Sequence, residues 1–332
     1  MRRFWIKHVW LRRLSSLCGI VLAIGLVVLL YIAYEYMPPE DRGDTPAYLA
    51  QIEAQHLDGY INAGNFRLHY LHEGRGEPVL LFPGGGAWIY DLRNLIMALA
   101  PYYSVYAVDV PGDGYTTPLA ANPDYNKIYT LDSIDQSLLS FMDQLHIQRA
   151  ALVGQSWGGG YALSLAEKYP ERVSKYVSLD GTGLALPDAW FYEIAKWPVL
   201  GEVAMKLSAP TSAEGMKQAL GQYFIFNQSK ITDDMAREFY IPLTFHSNLV
   251  SQWVLERNLD WSVTDQLIPQ MKTPTLILWG RQDQVEDAAS YTQRWHRLDP
   301  QARIVLIDHA GHLVQDDQPA EVNQLVLDFL AA

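Results

Sequence analysis

The sequence predicts an α/β protein: a mostly parallel sheet with helices on both faces, a helical cap inserted between two strands, and one transmembrane helix in front. Three observations lead there. From about residue 66 onward, short β-branched runs alternate with helix-length amphipathic stretches. The alternation breaks over 186–271, where no clean strand occurs and Pro198, Pro210, Pro242 and Pro269 punctuate helical sequence. Residues 17–34 (LCGIVLAIGLVVLLYIAY) carry no formal charge. At about 1.5 Å per residue they nearly cover a hydrocarbon core of roughly 30 Å. A chain of 332 residues suffices for one large α/β domain with such an insertion.

In chain order, residues 1–16 form a basic segment with Arg2, Arg3, Lys7, Arg12 and Arg13, while Glu35, Glu40 and Asp41 follow the apolar run. That asymmetry leaves the N-terminus in the cytoplasm and the following domain outside the inner membrane. The run is longer than a usual signal-peptide core and ends in Tyr31-Ile-Ala-Tyr-Glu-Tyr36, a poor cleavage site. Residues 17–36 therefore read as an uncleaved signal anchor with the lipid bilayer as partner; cleavage and secretion is the alternative. Being apolar on every face, the segment is not read as a buried helix of the core. Cys18, the only cysteine, lies within it, which excludes a disulfide within the monomer and a cysteine metal site. Residues 37–55, opening with the Pro- and charge-rich MPPEDRGDTP, read as a tether.

The formal net charge of −12 is uneven. The first 34 residues hold five of the 25 bases and no acid, leaving 20 bases against 37 acids, about −17, in the remainder. Such a domain is repelled by nucleic acid, which is set aside as a partner.

The first part of the core, 56–185, holds strand-like runs at 66–72, 78–82, 104–110, 150–154 and 175–179, with helices at 131–145 and 159–169. The run at 78–82 ends in Pro83-Gly84-Gly85-Gly86, and that at 104–110 in Pro111-Gly112. The cap, 186–271, carries twelve aromatic residues, suited to packing a small subdomain or lining an apolar pocket. The second part, 272–332, holds strands at 274–279 and 303–307.

The chemistry gathers where these strands end. Gly154-Gln155-Ser156-Trp157-Gly158 follows one strand directly and opens a helix. An abrupt strand-to-helix turn strains its central residue and lifts the side chain above the sheet, as a nucleophile requires. The helix N-terminus offers partial positive charge to a developing oxyanion. A serine hydroxyl needs a base, itself oriented by an acid. For the acid, Asp283 closes the strand 274–279 and Asp180 follows 175–179; for the base, His309 and His312 follow 303–307. His69 and His72 fall on opposite faces of a strand, and no grouping has metal-ligand spacing, so neither metal nor cofactor is expected.

With PVLLFPGGG, DVPGDGYT, GQSWGGG, LILWGRQD and AGHLVQDDQPAEVNQLVLDFL in this order, everything after the tether resembles the α/β-hydrolase superfamily. The resemblance implies that fold and a serine hydrolase with Ser156 as nucleophile, Asp283 as orienting acid and His312 as base. It places the oxyanion hole at the backbone N–H groups of Trp157 and Gly85. His312 is preferred to His309 because the family sets its base in a Gly-His pair followed by an acid and Pro, here Asp317-Gln318-Pro319. Two positions depart from the pattern: Pro83-Gly84 stands where many relatives have His-Gly, and Asp113 receives no role. Trp157 resembles the prolyl-iminopeptidase branch, whose other signatures are not matched.

The expected reaction is hydrolysis of an ester, or an amide, of a small to medium apolar acyl substrate through an acyl-enzyme. An aminopeptidase is the enzymatic alternative, with Glu193, Glu202, Glu214, Glu238 and Glu256 available for a substrate ammonium. A catalytically silent, membrane-tethered binding module is the alternative of another class.

Overall fold

The computed structural model describes the backbone of residues 2–41, 43, 45–187 and 190–332, and the side chains from Cys18 onward except those at 42, 44 and 188–191. Nine strands are found among the described residues: β1 (Asp58–Ala63), β2 (Phe66–Gly74), β3 (Pro78–Phe82), β4 (Ser104–Val108), β5 (Thr117–Pro118), β6 (Ala150–Gln155), β7 (Val173–Leu179), β8 (Thr275–Gly280) and β9 (Arg303–Ile307). They form one sheet in the order β1-β2-β4-β3-β6-β7-β8-β9, with β5 on the edge of β2. All pairings from β4 through β9 are parallel, and those involving β2 are antiparallel. Burial follows this division. β6 and β8 are buried at every position, as parallel strands covered on both faces must be. β1 is mostly half-exposed and polar, so its apolar signal is weak and the sequence reading did not include it.

Two helices precede the sheet, α1 (Arg2–Tyr34) and α2 (Ala47–Ala54). The sheet's faces are covered by α3 (Arg93–Leu99), α4 (Tyr125–Ile128), α5 (Leu131–Gln144) and α6 (Trp157–Lys168). The hydroxyl of Thr130 caps α5 by accepting the Ser133 N–H at 3.3 Å. Between β7 and β8 runs the helical insertion: α7 (Trp190–Ala195), α8 (Leu200–Ser208), α9 (Ala213–Ala219), α10 (Asp233–Leu243), α11 (His246–Asn258) and α12 (Ser262–Leu267). The chain closes with α13 (Ala288–Leu298), α14 (Val314–Asp317) and α15 (Pro319–Ala331). Two clusters of buried apolar residues lie on either side of the sheet, and a third, with Met216, Leu220, Met235 and Phe239, forms inside the insertion over Ala87 and Leu313.

Among the described residues no helix is long and apolar enough to cross a membrane. The transmembrane helix expected over 17–36 is thus not found, and its first residue, Leu17, lies outside the described side chains, as does the basic segment. Helix α1 ends at Tyr34, two residues short of the expected span. Its final turn rests on the cap: Lys206 Nζ donates to the carbonyls of Ile32 (3.1 Å) and Ala33 (2.7 Å). Those carbonyls are among the four that a helix C-terminus leaves unpaired, and a cation there also meets the negative end of the dipole. The segment after α1 is bound along the cap rather than hanging free. Glu40 accepts the His246 N–H at 2.7 Å, the Asp41 N–H donates to Thr244 Oγ1 at 2.8 Å, and the Tyr48 N–H donates to Glu238 at 2.7 Å.

Candidate active site

The site forms on the carboxyl edge of the sheet, where β6, β8 and β9 deliver one residue each. β6 ends at Gln155, and Ser156 takes φ +48° and ψ −122° before α6 starts. A side chain in that left-handed region is strained and is held only by what surrounds it. The Ser156 N–H donates to the Leu179 carbonyl at 3.0 Å, and the Ser156 carbonyl accepts the N–H groups of Gly159 (2.9 Å) and Thr182 (3.0 Å).

His312 Nε2 stands 3.0 Å from Ser156 Oγ, and His312 Nδ1 stands 2.9 Å from Asp283 Oδ2. Both partners of that second contact have buried side chains. The Asp283 carboxylate is oriented by more than the imidazole. Trp279 Nε1 donates to Oδ2 at 3.1 Å, and the N–H groups of Val285 (2.8 Å) and Glu286 (3.1 Å) donate to Oδ1. Gln155 Nε2 holds the His312 carbonyl at 2.9 Å.

The residues named for an oxyanion hole lie together. Gly85 and Trp157 both face the cavity above Ser156. A Cβ on Gly85 would stand 2.3 Å from the Trp157 ring, and one on Gly84 would stand 3.0 Å from Ser156 Cβ. Glycine is therefore required for the loop to lie against Ser156 and Trp157.

Of the rival candidates, Asp180 does not reach the histidine. Its carboxyl accepts the N–H of Gly280 at 2.6 Å and of Val314 at 3.2 Å, tying β8 to the segment after His312. Burial pushes that carboxyl well above the usual range, and the neighbouring Asp283 pushes it further. His309 is exposed, and its ring lies tilted against Phe226 at 5.9 Å between ring centres. His69 is buried against Asp109, with Nδ1 to Oδ2 at 2.7 Å, whereas His72 meets Ser104 at 2.9 Å. Among the described residues no group of His, Cys, Asp or Glu has the arrangement of a metal site.

Sequence reasoning did not foresee how buried acids hold this site. Asp317 accepts the N–H groups of Gly311 (2.8 Å), Phe226 (2.8 Å) and Asn227 (2.9 Å), joining the cap to the loop that carries His312. Asp109 accepts the Ile89 N–H at 2.7 Å, just beyond the Gly-rich loop, and the Tyr115 N–H at 2.9 Å. Asp317 had marked the motif after Gly-His, but neither acid showed its backbone partners, of which Phe226, Asn227 and Ile89 come from distant segments.

The cavity has a volume of about 510 Å³, within the usual range for small-molecule sites. The Gly-rich loop and the three elbow residues form its floor, and the cap forms its walls through residues such as Met205, Met216, Leu220, Phe224 and Phe239. Among the described lining residues there is no Lys or Arg, while Glu256 and Glu286 are present.

Residues 77–319 match the family profile described as alpha/beta hydrolase fold. The chain belongs to this hydrolase family. It is 30% identical over 276 residues to a 2-hydroxy-6-oxo-6-phenylhexa-2,4-dienoate hydrolase of Burkholderia cepacia, covering 80% of this chain and 92% of the relative. To a cis-3-alkyl-4-alkyloxetan-2-one decarboxylase of Shewanella oneidensis it is 28% identical over 294 residues, 82% of this chain and 87% of that one. Among solved structures, a meta-cleavage product hydrolase of Pseudomonas fluorescens IP01 superposes with a TM-score of 0.68 at 28% identity, covering 83% of this chain and 98% of that chain. Within this α/β-hydrolase the described site can perform acyl transfer: a hydroxyl against an imidazole, an imidazole against a buried carboxylate, and backbone donors at a helix N-terminus.

Proposed function

We propose that this α/β-hydrolase is a serine hydrolase acting on an uncharged, largely apolar ester through an acyl-enzyme on Ser156. Ser156 attacks the carbonyl, His312 takes its proton and returns it to the leaving alcohol, and Asp283 holds the imidazole. Water then repeats the sequence to release the acid. Charge on the tetrahedral intermediate falls to the N–H groups of Trp157 and Gly85.

The observation that carries the choice of substrate is the lining of the cavity. The Burkholderia relative is named for a dienoate, a carboxylate-bearing substrate. A buried carboxylate calls for Arg, Lys or several aimed donors. The described walls offer no Lys or Arg to meet such a charge. A neutral ester meets no such cost.

The test is a substrate screen with Ser156→Ala as the blank. Neutral p-nitrophenyl esters of medium chain length should exceed carboxylate-bearing C–C substrates in kcat/KM by about 100-fold, equivalent to roughly 2.7 kcal/mol. Faster turnover of the dienoates refutes the reading. A fluorophosphonate should label the wild type and not Ser156→Ala.

Glu256 favours a second reading, an aminopeptidase, because it alone of the five acids named for that role lines the cavity. Pro- and Ala-arylamides outrunning the esters would select it. The 3.0 Å contact between Ser156 and His312 speaks against a silent binding module, which has no use for an aligned nucleophile and base.

We also propose that the segment 17–36, whose first residue lies outside the described side chains, anchors the enzyme in the inner membrane, with the N-terminus cytoplasmic and the catalytic domain outside. Support comes from its apolar side chains. Leu22, Val27 and Tyr34 are 73%, 66% and 68% exposed, surface that water penalises and hydrocarbon does not. Full-length mass and retention in membranes after alkaline washing are expected; a shortened, freely soluble product indicates cleavage and secretion instead.

A further inference from the structure

Asp113 is fully buried on the turn after β4, outside the triad and outside the cavity lining. Its Oδ1 accepts the N–H of Gly86 at 2.6 Å and lies 3.5 Å from Gln252 Nε2 of helix α11. Its Oδ2 has no hydrogen-bond partner. Gly86 is the next residue after Gly85 and takes φ +74°, a conformation that leaves its N–H directed at Asp113 rather than at the nucleophile.

The turn that carries Asp113 is in turn bound to the cap. Ser251 Oγ lies 2.6 Å from the Gly112 carbonyl and 2.6 Å from the Asn248 carbonyl, sharing its one proton between them, and Asn248 Nδ2 donates to the Gly114 carbonyl at 2.7 Å. Gly112 sits at φ +100°, and a Cβ there would stand 2.7 Å from Ser251 Cβ, so α11 and the turn are in backbone-close contact. The contacts run without a gap from α11 to the 112–114 turn, to Asp113, to Gly86 and so to Gly85.

We propose that Asp113 is a positioning residue for the oxyanion hole, coupling cap helix α11 to the Gly85 N–H through its hydrogen bond from Gly86. This rests on the acyl-transfer reading of Ser156. An oxyanion donor gains its effect from being aimed before charge develops, so removing the buried acceptor next to that donor costs rate rather than ground-state affinity. Burial pushes the carboxyl well above the usual range, and nearby Asp109 pushes the same way. Oδ1 is the atom that holds Gly86, and an uncharged acceptor oxygen at that place can accept the same N–H.

The test uses the full chain in detergent and a neutral p-nitrophenyl ester. Asp113→Ala should lower kcat by roughly 10- to 100-fold, less than or equal to the loss of a whole oxyanion donor, with KM within about threefold. Its rate of fluorophosphonate labelling should fall in parallel. Asp113→Asn retains an uncharged acceptor oxygen and should stay within about threefold of wild type in both readouts. Should Asp113→Ala fail to fold, Ser251→Ala supplies the second arm, with kcat down roughly 3- to 10-fold at unchanged KM for one lost hydrogen bond. A kcat near wild type in the folded variants, a loss confined to KM, or an Asn variant as slow as Ala overturns the proposal. Those outcomes leave wild-type labelling at Ser156 intact, whereas failure of the acyl-transfer reading abolishes that labelling itself.

Discussion

His312→Ala is expected to lower kcat for ester hydrolysis by roughly 10⁴-fold or more, as removal of a triad member does in serine hydrolases generally. Its imidazole is the group placed at 3.0 Å from Ser156 Oγ, so without it the hydroxyl has no base there. The fold should survive the change. Asp283 loses one partner but keeps Trp279 Nε1 and the N–H groups of Val285 and Glu286, so its charge is not stranded. Steady-state kinetics beside a thermal melt checks both halves. Turnover within tenfold of wild type would remove His312 from the mechanism. His309 is a poor substitute, since it is exposed and engaged with Phe226.

Gly154→Ala is expected to have the largest effect on stability, about 3–5 kcal/mol or outright failure to fold. The new Cβ would stand 2.1 Å from the Gly158 carbonyl oxygen and 2.4 Å from the Gly159 nitrogen. These are backbone atoms in the first turn of α6, so nothing flexible can move aside. Relief requires shifting the helix that starts at Trp157, which also misdirects Ser156. Denaturant unfolding measures the loss, and a variant within about 1 kcal/mol of wild type would show that the elbow has slack. Gly215→Ala in the cap, where the nearest atom to a new Cβ is 3.5 Å away, is the matched control and should change little.

The contrast between these glycines shows what kind of information the sequence carried. The motif at 154–158 was legible because strand, turn and helix signals are local and adjoin it. The strand ends at Asp283 and His312 were legible for the same reason. Choosing Asp283 over Asp180 and His312 over His309 needed the family resemblance, because each residue of a pair follows a strand equally well. In space the pairs separate. Asp180 spends its carboxyl on the N–H groups of Gly280 and Val314, and His309 points to the surface.

Other features left no local signal. β1 escaped notice because a half-exposed edge strand lacks an apolar run. The stretch over 37–55 reads as a tether from its Pro and charges, and nothing local marks that Glu40, Asp41 and Tyr48 are each bonded to the cap some 190–206 residues away in sequence. Asp113 had no assignable role until Gly86 was found at its carboxyl.

By itself, then, the sequence determined the alternating sheet and helices, the place of the insertion, and the serine at a strand-to-helix turn. These follow from hydrophobic period, chain-adjacent turn chemistry and strand-end position. Only the tertiary structure decided which acid meets which N–H, that the described cavity walls bring glutamates and no Lys or Arg, and that the Gly-rich loop is tied to the cap. Those depend on contacts between segments far apart in the chain, whose distances no local pattern encodes.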